Sequence, residues 1–128
     1  MPYKLEKLPD EPILIFTIWG DFDLAKSQAQ IAEKVAQLIA DIDGDYYMID
    51  DYSSLSNVDF GDMVAVMAEQ SKPDLTGSVN DPRAHHVLVG SNSLIEFAAK
   101  SFNQEQYGGV ALPIFTRQDD ALKYVRSQ

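Results

Sequence analysis

Short runs of β-branched and aromatic residues alternate along this chain with stretches whose apolar residues recur every three or four positions. That change of period restricts the fold more than any other feature. Ile13 through Trp19 reads as a strong strand. A weaker one near Tyr3 to Leu8 pairs with it across Pro9-Asp10-Glu11-Pro12, where two prolines stop both strands. After Gly20 the period lengthens. Leu24, Ile31, Val35, Leu38, Ile39 and Ile42 mark one face of a long helix, with Asp21 or Asp23 placed to cap its start. Asp41-Ile42-Asp43-Gly44-Asp45 ends that helix, and Tyr46 to Asp50 forms the next strand.

A polar loop is expected from Asp51 to Val58, and Asp59 begins a second helix with Asp62 in a capping-box position. Ser71 to Arg83 has no periodicity and is the longest expected loop. His86 to Val89 is a short buried-type strand, and Ser93-x-x-Glu96 opens a third helix running to about Asn103. Pro113 to Thr116 is the last strand, and Thr116-x-x-Asp119 opens a final helix through Val125. The order ββαβαβαβα predicts an α/β fold: a mostly parallel sheet, one antiparallel edge strand and about four helices. With 128 residues and no internal repeat, residues 1–128 are expected to form a single domain.

Charge narrows the function. Ten Lys and Arg against twenty Asp and Glu give a net charge of −10, which disfavours nucleic acid and anionic lipid surfaces as partners. No Lys or Arg lies between Lys34 and Lys72, whereas Asp41, Asp43, Asp45, Asp50, Asp51, Asp59, Asp62 and Glu69 all do. One region therefore carries concentrated negative potential, suited to solubility or to a basic partner. Zero cysteines remove disulfides, thiolate metal sites and a cysteine nucleophile. The apolar runs are too short for a membrane span, and no signal-peptide pattern opens the chain, so a cytoplasmic location is expected.

Each candidate for chemistry fails on spacing. Asp41-x-Asp43-x-Asp45 begins like a calcium loop, but the required glycine falls at Tyr46 and the bidentate glutamate at Tyr52. Asp50-Asp51 at a strand end resembles a phosphoacceptor without the partner acids and lysine of a receiver domain, and reads better as loop and cap carboxylates. His85 and His86, neighbours in a strand, point to opposite faces and read as hydrogen-bonded structural histidines. Gly90-Ser91-Asn92-Ser93 lacks the lysine of a P-loop. No catalytic residue, metal site or cofactor is expected, and the chain reads as no enzyme.

Two segments resemble a known family. Ile18-Trp19-Gly20-Asp21-Phe22-Asp23 looks like the turn after the second strand of STAS domains, the fold of anti-sigma factor antagonists. Ile49 through Asp62 is similar to their central stretch, in which a strand runs through a loop into an Asp-Ser-Ser-Gly motif opening a helix. The resemblance implies a regulatory, protein-binding module. In the antagonists the serine after that aspartate is phosphorylated; here the position is Phe60, followed by Gly61 and Asp62, so the switch is lost. The expected partner-binding surface is Asp59, Phe60, Gly61, Asp62 and Ser56, with Asp21 and Asp23. An exposed Phe60 would anchor a protein partner and the acids would steer a basic one, whereas a Phe60 folded back onto the core would not. The stretch from His86 to Val125 also looks like uncharacterised small bacterial proteins placed between STAS domains and the CRAL-TRIO lipid carriers. That likeness supplies the alternative, a small-ligand or lipid carrier with Trp19, Tyr46, Tyr47, Met48, Phe60, Met63 and Met67 as pocket lining or, equally, as plain core. An edge strand or apolar helix face would make a homodimer.

Overall fold

Residues 9–12 reverse the chain as expected. The Leu8 N–H donates to the Ile13 carbonyl at 3.0 Å, and Asp10 takes φ 60, a left-handed conformation that Asp tolerates better than most residues. The computed structural model describes residues 3–20, 24–55, 76–90, 93–104, 109 and 111–128. Strands β1 (Tyr3–Lys7) and β2 (Ile13–Gly20) pair antiparallel, with Tyr3 opposite Ile18 and Lys7 opposite Leu14. Then β3 (Tyr46–Leu55), β4 (Ala84–Val89) and β5 (Ile114–Phe115) add in parallel, giving one sheet in the order β1-β2-β3-β4-β5. The expected α/β architecture, with its single antiparallel edge, is present.

Strand period sorts side chains between two layers. On one face Leu14, Phe16, Ile18, Tyr46 and Met48 pack with Ile31, Val35 and Ile39, and Ile31 and Val35 lie four residues apart on helix α1 (Leu24–Leu38). A second cluster on that side joins Leu88 to Ile95 and Phe102 of helix α2 (Ser93–Phe102), with Val79 and Leu112. The opposite face sets Ile13, Ile15, Ile49, Val87 and Val89 against Ala121 and Val125 of helix α3 (Gln118–Arg126). Each fully buried aliphatic side chain contributes about 1.5–3 kcal/mol, so both layers are needed. Asp119 and Asp120 in the first turn of α3 and Lys123 and Arg126 in its last complement the helix dipole.

Several boundaries differ from expectation. Helix α1 stops at Leu38 rather than Ile42, because its exit is held from elsewhere. Arg83 donates through Nε to the Gly44 carbonyl and through Nη2 to the Ile42 carbonyl, both at 2.8 Å. The polar loop expected from Asp51 is strand as far as Leu55, since pairing with β2 outweighs the weak strand propensity of Asp and Ser. The last helix opens one residue later than Thr116: Arg117 takes the N-cap position and makes no side-chain cap bond. Ser93 is the first residue of α2. Part of the expected Ser71–Arg83 loop is buried, with Gly77, Ser78 and Val79 inside. The helix expected from Asp59 lies outside the described residues.

Candidate functional site at the strand ends

In an open parallel sheet, ligands and partners meet the carboxyl ends of the strands, where connections diverge. Here those ends are Gly20, Leu55 and Gly90. Gly20 closes β2 with φ 64, and its register partner is Leu55. Between Thr17 and Trp19 the register with β3 slips by one residue, a bulge that turns the strand end and leaves Trp19 41% exposed. Gly90 has φ 152, and a Cβ there would stand 2.1 Å from Ile95 Cδ1, so glycine is required where β4 ends before α2. Strand β3 outruns β4, whose last register pair is Asp51 with Val89.

Two buried carboxylates stand on this part of β3, one on each face. Asp50 faces the α1 side, and His86 on β4 donates to its Oδ2 through Nδ1 at 2.5 Å. The other ring nitrogen, Nε2, lies 2.8 Å from the Gly77 carbonyl. Burial alone pushes this imidazole down; the Asp50 carboxylate and the Gly77 and Ser78 carbonyls outweigh it, and the ring is held above its ordinary value. Both ring nitrogens are occupied, Nδ1 by the Asp50 carboxylate and Nε2 by the Gly77 carbonyl. Tyr52, packed against both clusters on this side, has its phenol pushed well up by desolvation and then by Asp50.

Asp51 faces the α3 side among neutral donors. Its Oδ1 accepts from the Ser53 backbone N–H at 3.0 Å and from the Ser53 hydroxyl at 2.5 Å, while Oδ2 accepts from Gln118 Nε2 at 3.0 Å. Thus neither acid is simply the loop carboxylate expected. Asp50 belongs to a buried ion pair, and Asp51 ties the end of β3 to the start of α3. His85 behaves as a structural histidine, bonded to Asp45 Oδ2 at 2.9 Å and packed on Tyr47 with ring centres 5.1 Å apart. His86 likewise meets that expectation.

The sequence contained a signal for the Asp50 partner. Asp50 shares strand parity with the buried Tyr46 and Met48, and a carboxylate on a buried face needs a donor. His86 is the polar residue of matching parity on β4. No comparable signal announces Gln118, which reaches Asp51 only because α3 crosses that face.

Of the expected partner-binding residues, Asp21, Asp23, Ser56, Asp59, Phe60, Gly61 and Asp62 all lie outside the described residues. What is described is their anchorage, since Gly20 precedes Asp21, Leu55 precedes Ser56, and the two are register partners. The suggested pocket lining does not converge. Tyr46 and Met48 are shut into the α1-side core, Tyr47 points to the opposite face, and Trp19 is exposed. Phe60, Met63 and Met67 lie outside the described residues. Among those residues no three His, Asp or Glu side chains gather as a metal set, and no helix is long and apolar enough to cross a membrane.

No family model matches the chain, and no curated protein matches it in sequence. Solved structures do. An uncharacterised protein of the DUF3478 family from Shewanella loihica, described as having a SpoIIAA-like fold, aligns with TM-score 0.61 and 17% identity, over 96% of this chain and 91% of that one. The anti-sigma factor antagonist SpoIIAA in its unphosphorylated form aligns with TM-score 0.57 and 16% identity, over 98% and 97%. An anti-sigma factor antagonist from Mycobacterium paratuberculosis gives 0.53 and 16%, over 97% and 92%. At these identities it is the backbone path that is shared, and the chain has the SpoIIAA-like, STAS-type fold of the anti-sigma factor antagonists.

Proposed function

We propose that this chain is a non-enzymatic regulatory module that binds a protein partner at the carboxyl ends of β2 and β3. The observation that carries this reading is the likeness to two anti-sigma factor antagonists over more than nine-tenths of each chain. The contact surface comprises Ser56, Asp59, Phe60, Gly61 and Asp62, joined by Asp21 and Asp23, whose anchoring residues Gly20 and Leu55 are paired. Phe60 has no hydroxyl to carry a phosphate, so binding there is constitutive rather than switched by a kinase. The acids of the stretch between Lys34 and Lys72 favour a basic partner and raise its association rate at low salt. Chains of this kind pairing as homodimers in the cytoplasm complete the proposal.

Quantitative affinity capture with wild type, Phe60→Ala and Asp62→Lys tests it, each protein first checked for native circular dichroism. A partner retained by wild type should fall by about tenfold with either variant, and the Asp62→Lys loss should shrink as salt rises. Equal capture by all three proteins would remove this surface from consideration. Light scattering on the same samples reads the oligomeric state.

A further inference from the structure

Segment 76–83 crosses the α1 side of the sheet, and besides the Arg83 bonds to the Ile42 and Gly44 carbonyls two ties hold it. Asp81 organises it from within: Oδ2 accepts from the Gly77 N–H at 2.9 Å and from the Tyr46 hydroxyl at 3.2 Å, and Oδ1 accepts from the Arg83 N–H at 3.0 Å. The second tie is the His86 ring, held between Asp50 Oδ2 and the Gly77 carbonyl. Both neighbours of that ring are acceptors, and both contacts are buried. A ring with two N–H groups satisfies them together; a neutral ring has one N–H and must turn a lone pair on one acceptor. The charge-assisted bond to Asp50 is the stronger, so the lone pair falls on the Gly77 carbonyl. Repulsion then acts on the peptide that begins the buried run Gly77-Ser78-Val79.

We propose that His86, Asp50 and the Gly77 carbonyl form a proton-operated latch, closed on segment 76–83 while the imidazolium persists and released when it loses its proton. Among the described residues, the groups acting on the ring are Asp50 of β3 and the backbone of Gly77 and Ser78, and Tyr52 stands beside Asp50 on the same face of β3. Tyr52 stays neutral, because desolvation and Asp50 both oppose its ionisation. Tyr46 is likewise pushed up, by burial and then by Asp81, so the Tyr46 tie does not release over the same range. Asp50 holds the imidazolium above its ordinary value, so opening falls at a higher pH than an ordinary imidazole would set. The latch is independent of the partner site, since every group in it is described and none belongs to the contact surface.

The test is a pH titration of the intact chain by NMR, from about pH 5 to about pH 10, which spans the ordinary imidazole range. Long-range proton–nitrogen spectra report the His86 ring, and backbone amides report Gly77, Ser78 and Val79. The ring is expected to keep both protons past the ordinary imidazole midpoint, with the three amides stepping at the ring's own midpoint. The exposed His85 serves as the control, and its titration should leave those amides still. In Asp50→Asn the ring midpoint and the amide step should move down together. A ring neutral throughout, or amides that follow His85 or nothing, would overturn the latch. Should Asp50→Asn fail to fold, the wild-type titration decides alone.

Discussion

Asp50 and Asp51 are neighbours on one strand, both acidic and both buried, yet they live in different electrostatic worlds. Asp50 has the buried His86 ring for a partner, held between the sheet and segment 76–83. Asp51 has only dipoles, and two of its three donors come from the exposed Ser53. The difference shows how a strand's period of two can give adjacent identical side chains opposite roles. One carboxylate sets the protonation state of a core histidine; the other fastens a helix to a strand end.

Removing each acid in turn would break this contrast if it is wrong. Asp50→Ala takes the carboxylate from a buried imidazole, which must then lose its proton or stand uncompensated, and should cost about 3–5 kcal/mol in urea denaturation. The wild-type pH profile carries the same signature. His86 is held above its unfolded value, so its stabilisation is complete below that unfolded value and is lost as pH rises through the folded one. Asp50→Ala should abolish that decline with rising pH. A smaller effect is expected from Asp51→Ala, about 1–2 kcal/mol, because water can replace the carboxylate at Ser53. It should leave the His86-linked decline with rising pH intact. Smallest is Gln118→Ala, about 0.5–1.5 kcal/mol, measured by the same unfolding curves. Equal losses for Asp50→Ala and Asp51→Ala would erase the distinction between the two faces.

The same residues measure how much of the molecule was legible beforehand. Alternating periods were sufficient for the order of the described elements and the antiparallel edge, since amphipathic patterns are local and survive translation into structure. Parity alone predicted that His85 and His86 would diverge and that neither would chelate with the other. It was less informative about Asp51 to Leu55, where Asp and Ser imply a loop but a neighbouring strand supplies the missing hydrogen bonds. Segment 76–83 was misleading for a related reason. Gly77, Ser78 and Val79 form no amphipathic pattern, and their burial comes from Asp81, His86 and the α2-side cluster rather than from their own composition.

The contact surface expected from the resemblance rests on Phe60 and its neighbours, and their anchorage through Gly20 and Leu55 is the part that geometry supplies. Sequence by itself determined the α/β class, the direction of the edge strand, and the net charge of −10 with its concentration between Lys34 and Lys72. These depend on residue type and short-range spacing, which a chain carries with it unfolded. Tertiary structure decided which buried polar groups meet. Asp50 and His86 are 36 positions apart, and Asp51 and Gln118 are 67. Such pairs are fixed by strand register and helix placement, and no local period encodes either.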